Sequence, residues 1–106
     1  MAKYLIRGSY TVEGVKGVLK DGGTGRRKAV ADAVQALGGK LEAFYFALGD
    51  DDVFAIVEGP DNVTAATFSM GVAATGTVKT STTVLLTPEE IDQAAKKTLS
   101  FRAAGQ

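Results

Sequence analysis

The segment LEAFYFALGDDDVFAIV, residues 41–57, decides the fold of this chain. Two runs of strand-forming residues flank the short polar segment Gly49–Asp52, a pattern that predicts an antiparallel hairpin. Neither side of residues 53–57 is polar, and residues 44–48 are nearly as apolar on both sides. A sheet with one face in water alternates more cleanly between apolar and polar residues. Both faces of the hairpin are therefore expected to be covered.

Ahead of the hairpin, the sequence predicts one strand and two helical stretches. Residues 3–10 are rich in β-branched and aromatic side chains, which favours a strand. Thr11 can cap a helix that stops at Gly22–Gly23, and Thr24 can cap a second stretch. The second stretch ends at Gly38–Gly39, since glycine tolerates the left-handed conformation of a helix C-cap. Its apolar stripe comprises Val30, Ala33, Val34 and Leu37, whereas Arg26, Arg27, Lys28, Asp32 and Gln35 are assigned to its wet side.

After the hairpin, a further helix, strand and helix are predicted. Asp61 is a good N-cap for a helix over residues 62–74, and residues 77–86 form a strand heavy in β-branched side chains. Thr87 and Glu90 fit a capping box, with Pro88 at the first position of a last helix that reaches about Thr98.

The predicted order is β-α-β-β-α-β followed by an extra helix, which is the α+β, ferredoxin-like pattern with an antiparallel four-stranded sheet. Right-handed crossovers place both main helices on one face of the sheet. The remaining helix and tail are too short to cover the other face, so a second copy of the same sheet is expected there. We therefore predict a single domain over residues 1–106 that pairs as a dimeric α/β barrel. Higher assembly through the C-terminal helix stays open.

Composition narrows the chemistry. The chain has 106 residues, 12 Lys plus Arg against 12 Asp plus Glu, and neither Cys nor His. Disulfides, thiolate nucleophiles and the commonest metal ligands are thereby excluded, so no metal and no cofactor is expected. The balanced charge provides no field to attract nucleic acid. No apolar run reaches about 18 residues, and the N-terminus resembles a strand rather than a signal peptide, which predicts a cytoplasmic protein without a membrane partner.

Three separated segments resemble GYD-domain proteins, a family within the dimeric α/β barrels. They are KYLIRGSYTVEGVKGVLKDGGTGRR, LGGKLEAFYFALGDDDVFAIVEGPD and TTVLLTPEE, and the resemblance as a whole covers about Lys3 to Lys97. The Gly-Tyr-Asp segment of the family corresponds here to Gly49–Asp52, where Asp51 takes the place of the tyrosine and Asp52 keeps the aspartate. The resemblance implies the fold and the dimer and assigns no activity. Wider relatives of the barrel include heme-binding proteins, cofactor-free monooxygenases, isomerases and stress-response proteins.

The first candidate site is the glycine-rich segment over residues 20–27. Glycines ahead of a helix start let backbone N–H groups face an anion, and Thr24, Arg26 and Arg27 could add contacts to a phosphate or carboxylate. The segment does not match a phosphate-binding Walker loop, because the lysine does not follow the last glycine. The alternative is a glycine-broken helix with solvated arginines, which such loose glycine runs favour.

The second candidate site combines Arg7, Tyr10, Lys16 and Tyr45, with Ser9 beside them. An arginine in a central strand needs a partner, which could be Glu42, Glu58 or a ligand carboxylate. The two tyrosines could orient a small oxygenated molecule through their hydroxyls. The alternative is an internal ion pair within ordinary aromatic packing.

Two other features favour structural interpretations. Three adjacent carboxylates, Asp50, Asp51 and Asp52, lack the spaced ligands of a calcium loop and indicate a solvated acidic turn. The apolar helix over residues 62–74 carries no Lys or Arg, so core packing explains it better than membrane contact.

Three functions compete at this point. The first is a module for binding a small organic anion or for assembly. The second is a metal- and cofactor-independent enzyme, isomerase- or monooxygenase-like, in which Arg7 or Arg26 holds an organic acid or enol and Tyr10 or Tyr45 shuttles a proton. The third is heme binding, which only Tyr or Met could support as axial ligand.

Overall fold

The computed structural model describes all 106 residues and has seven elements. They are the strands β1 (Ala2–Tyr10), β2 (Lys40–Phe46), β3 (Val53–Gly59) and β4 (Val78–Leu85), and the helices α1 (Val12–Ala36), α2 (Asn62–Ala73) and α3 (Pro88–Lys96). The sheet has the order β2-β3-β1-β4, and every neighbouring pair is antiparallel. The predicted ferredoxin-like fold is confirmed, together with the extra helix at the C-terminus.

The two faces of the sheet differ in what covers them. On the helix face, Tyr4, Ile6 and Gly8 of β1 are buried, as are Val53, Ala55 and Val57 of β3. The core forms where Val34 of α1 packs on this face, with Phe44 and Phe68 against it. The opposite side, here called the open face, carries the alternate side chains of the same strands, and no element of the chain covers it.

A β-bulge determines which side chains of β2 share a face of the sheet. Strict alternation places Leu41 with Ala43 and Tyr45, but the pairing with β3 shifts between Leu41 and Ala43. An extra residue in one strand moves the following side chains to the other face. Leu41 therefore packs toward the core with Phe44, whereas Tyr45 lies on the open face opposite Phe54.

The two predicted helical stretches before the hairpin form one element with a sharp kink. Gly22 has φ 77° and ψ 165°, a conformation that only glycine adopts readily, so the predicted break is confirmed. Helical geometry resumes at once, which makes the prediction of Thr24 as an N-cap wrong: Thr24 lies inside the helix and is exposed. Thr11 caps the first part as predicted, its Oγ1 accepting a bond from the Gly14 N–H at 3.2 Å.

The remaining caps follow the sequence. Asp61 accepts a hydrogen bond from the Thr64 N–H at 2.8 Å and caps α2. Thr87 and Glu90 form the predicted reciprocal capping box, with Pro88 at the start of α3. These caps satisfy N–H groups that have no partner inside a helix, which is why such residues mark helix starts so reliably.

The chain buries little of itself. Only 8 of 106 residues are buried, and the radius of gyration is 17.0 Å where about 13 Å is usual for this length. Large apolar side chains are exposed in several places, among them Val12, Val15 and Leu19 on the first half of α1. None of the helices is long and apolar enough to cross a membrane.

Candidate functional site

A partly enclosed cavity of about 140 Å³ lies between the two main helices and the sheet. Its walls are almost entirely apolar, and Tyr10, Arg26 and Thr80 supply the polar groups. The apolar walls come from β1, β2, β3 and β4 below and from α1 and α2 above, and comprise Ile6, Gly8, Ala29, Val30, Ala33, Phe44, Val53, Ala55, Phe68, Val72 and Val78. A small apolar cavity with a few converging polar groups is the usual form of a small-molecule site.

Tyr10 is the last residue of β1 and lies at one end of this cavity, where contacts to its backbone and to its ring hold it in place. Its backbone N–H donates to Asp52 Oδ2 at 2.8 Å, and its ring stacks near that of Phe46 with centroids 6.5 Å apart. Burial raises the pKa of the Tyr10 phenol above its ordinary value of 10.0, an effect that the positive charge of Arg26 opposes. The phenol is therefore protonated at neutral pH and acts as a hydrogen-bond donor.

Arg26 reaches the same cavity from α1, contrary to its assignment to the wet side. Its side chain is half-buried, and Nη1 lies 3.4 Å from Asp21 Oδ2. The kink at Gly22 redirects α1 just before this residue, and a side chain in place of Gly23 would crowd the Phe46 ring. The close approach of α1 to β2 thus positions the guanidinium beside Tyr10, the one cationic group among the cavity residues.

Sequence reasoning missed much of the cavity wall. Phe44, Phe68 and Thr80 lie on three different elements, and each was assigned only to a strand or a helix. The doubly apolar pattern of the hairpin was a signal for Phe44 alone, and Phe68 and Thr80 had none. That pattern indicates burial without showing which residues of other elements a side chain meets.

Arg7 and Tyr45 form a separate group on the open face. Arg7 sits between Phe54 of β3 and Ser81 of β4, and its Nη2 is 3.5 Å from Ser81 Oγ. Its Nε is buried without a hydrogen-bond partner. Neither Glu42 nor Glu58 reaches it, so the predicted internal ion pair of Arg7 is not formed. Tyr45 is 71% exposed.

Those two glutamates hold Lys3 instead. Lys3 Nζ lies 2.7 Å from Glu42 Oε2 and 2.9 Å from Glu58 Oε1, which joins β1, β2 and β3 at one end of the open face. The hydrogen bonds of Glu42 and Glu58 raise the pKa of Lys3, and the hydrogen bond from Lys3 lowers that of Glu58 below its ordinary 4.5.

The other predicted site residues are not brought to either group. Lys16 is exposed on the first half of α1, where its Nζ lies 3.6 Å from Glu13 Oε1. Thr24 and Arg27 are exposed on α1 and line none of the cavity. The structure therefore regroups the residues of the two predicted sites. Tyr10 and Arg26 come together at the cavity, and Arg7 and Tyr45 lie on the opposite side of the sheet.

The acidic turn is hydrogen-bonded to the end of β1 and is not fully solvated, although the sequence predicted a solvated turn. Asp52 binds the end of β1 through its carboxylate, and its backbone N–H donates to the Gly8 carbonyl at 2.8 Å. Ser9 Oγ donates to the Asp50 carbonyl at 3.1 Å. The aspartate that corresponds to the end of the Gly-Tyr-Asp segment therefore has a definite structural role.

Fold and cavity together define a ferredoxin-like α+β domain with a small-molecule-sized pocket between its sheet and helices. The family model of the GYD domain matches residues 4–95, so the chain belongs to the GYD domain family, within the dimeric α/β barrels. No curated protein and no solved structure matches the chain significantly.

Proposed function

We propose that this protein is a homodimeric module that binds a small organic anion in the cavity between α1, α2 and the sheet. One observation carries the proposal: a single arginine and a protonated phenol meet at an otherwise apolar cavity. In such surroundings a cation attracts a negatively charged group more strongly than it would in water. The phenol adds a directed hydrogen bond to the same group.

The size of the cavity limits the ligand. A volume of about 140 Å³ is close to that of an apolar protein cavity of about 150 Å³ that accommodates benzene. The ligand is therefore a carboxylate or enolate whose apolar part is one ring or a short branched chain. Its apolar part would contact Phe44 and Phe68, and its charged end would face Arg26.

The open face supports the homodimer. Leu5, Phe54 and Ile56 lie on its central strands, Arg7 is the one charged residue beside them, and ion pairs occur at one end of the face. An uncovered apolar face of this kind is unusual on a monomer and typical of an interface. A second open face is the matching surface, because the same apolar residues would then meet across a two-fold axis.

Thermal-shift and calorimetric titrations with benzoate, phenylacetate and isovalerate test the binding proposal, with benzyl alcohol as the neutral counterpart. We expect the anions to stabilise the protein and the alcohol to have little effect. Arg26→Ala should abolish the stabilisation, and Arg27→Ala is the matched control because that adjacent arginine lies outside the cavity. Equal shifts in Arg26→Ala and wild type would contradict the proposal.

A substitution on the open face tests the dimer separately. Ile56→Lys places a charge in the middle of that face and should convert the dimer to monomer in light scattering, because an unpaired charge would be buried. Val63→Lys, at an exposed apolar position of α2, should leave the dimer intact. A wild-type chain that is monomeric at micromolar concentration would disprove the homodimer.

The adjacency of Tyr10 and Arg26 also favours a second candidate, an enzyme that needs neither metal nor cofactor. Tyr10 would protonate the carbon of an enol whose carboxylate Arg26 holds, since its raised pKa keeps it protonated; the enol hydroxyl loses its proton to water, and water returns a proton to the phenolate. Conversion of an added enol acid to its keto form, followed by ultraviolet absorbance, measures this activity. A rate that is equal in wild type and Tyr10→Phe would exclude the tyrosine as the proton donor.

A further inference from the structure

The last part of the chain, Pro88–Gln106, is here called the C-terminal arm. It begins with α3, and every one of its residues is exposed. The arm follows β4, an edge strand of the sheet, and α3 packs against neither the sheet nor the other helices. Its largest apolar side chains are far from buried: Leu99 is 81% exposed and Phe101 78%.

The helical part of the arm has one apolar side, which is typical of a helix that packs against another surface. Ile91, Ala94 and Ala95 recur at helical spacing and form an apolar stripe, with charged residues elsewhere on the helix. A helix of nine residues is only marginally stable in water, even with a good cap, because few hydrogen bonds repay its nucleation. The helix therefore requires a packing surface, and its own chain does not provide one.

The interface area points to the second copy as that surface. Strands of seven to nine residues, at about 4.8 Å spacing and 3.3 Å per residue, give the open face roughly 500 Å². Two such faces would bury about 1,000 Å², whereas stable interfaces bury about 1,200–2,000 Å². Sheet-to-sheet contact alone therefore reaches only the lower limit of a specific interface, about 1,000 Å².

We propose that the C-terminal arm of each protomer packs on the other protomer, with Ile91, Leu99 and Phe101 as its anchoring side chains. This inference rests on the homodimer of the proposed function. The arm begins three residues after Leu85, the last residue of β4, which pairs with Lys3 on the open face, so it begins at the border of the proposed interface. Two exchanged arms would add the area that the sheets lack.

Sedimentation velocity over a dilution series tests the arm. Ile91→Glu should raise the dimer dissociation constant at least about tenfold, as loss of a buried anchoring side chain does. Gln93→Glu adds the same charge on the far side of the helix and should leave the constant unchanged. Because Ile91 contributes nothing to the protomer core, circular dichroism should show both variants folded.

Cross-linking provides a second measurement. Because the chain has no native cysteine, the probe attaches only to the introduced one. Ser100→Cys, between two anchoring side chains, carries a photoreactive maleimide and is mixed with ¹⁵N-labelled wild type, and the cross-linked peptides are assigned by mass. Peptides that join the probe to ¹⁵N chain support exchange of the arm. Two results would overturn the exchange of the arm: cross-links confined to the same chain, or a dimer dissociation constant that Ile91→Glu does not raise. Either result would leave the sheet-to-sheet dimer intact. A monomeric wild type would overturn both.

Discussion

The carboxylate of Asp52 accepts a hydrogen bond from the backbone N–H of Tyr10 at 2.8 Å and thereby ties the hairpin turn to the end of the central strand. Tyr10 lies at the cavity, so the turn also determines where the phenol stands relative to Arg26. A residue of the turn thus acts on the candidate site without touching the cavity.

Asp52→Ala should lower the free energy of unfolding by about 1–2 kcal/mol, the usual range for a hydrogen bond to a charged group that is partly exposed. Urea denaturation measures the loss. Asp50→Ala is the control, since the Asp50 side chain makes no hydrogen bond and only its carbonyl is used. If the two variants are equally stable, the bond to Tyr10 contributes nothing.

Gly14→Ala should destabilise the protein by about 1–3 kcal/mol, because a methyl group there overlaps the Thr77 carbonyl oxygen and forces α1 away from β4. Gly17→Ala, one turn further along the same helix, meets no atom within 4 Å. It should stabilise the protein by about 0.5–1 kcal/mol through helix propensity. The midpoint of thermal unfolding should therefore fall for Gly14→Ala and rise for Gly17→Ala. Shifts in the same direction would contradict the packing described.

Lys3→Met should destabilise the protein at neutral pH by removing the cation between two glutamates. Hydrogen bonding to Lys3 lowers the pKa of Glu58 below 4.5 in the folded state, so this contribution is complete above that pH and is lost as the pH falls through the folded value. The difference between wild type and Lys3→Met in urea midpoint should therefore shrink at pH 2–3. Lys28→Met breaks the more exposed pair with Asp32 and should change the midpoint less. A difference that persists at pH 2 would be inconsistent with an ionic contribution.

Tyr10→Phe should alter the alkaline limb of the stability profile. Because burial raises the folded pKa of Tyr10 above 10.0, the folded state keeps its proton longer, and stability falls as the pH rises from about 10 through the folded value. The variant lacks this loss, so the stability of wild type relative to it should decline above pH 10. Tyr45→Phe, at an exposed ring, serves as the control. Parallel profiles for wild type and Tyr10→Phe would show that the phenol titrates alike in both states.

The sequence by itself determined the order of elements and most of their ends. Local chemistry explains this success: Thr11, Asp61 and Thr87 cap helices through side chains three residues from their partners, and Gly22 and Gly38 take backbone angles that other residues avoid. The doubly apolar hairpin likewise indicated burial, which needs no knowledge of distant residues.

Only the tertiary structure decided which side chains share a site. A single bulge after Leu41 changed the facing of β2, and Arg26, predicted for the wet side, shares the helix face of Val30 and Ala33 and lines the cavity. By contrast, Arg7 and Tyr10 are three residues apart in one strand, so alternation in the sequence already assigns them to opposite faces of the sheet, although both belonged to one candidate site. Local pattern encodes caps and turns, but the meeting of Tyr10 with Arg26 depends on how distant segments pack, and that follows only from the assembled fold.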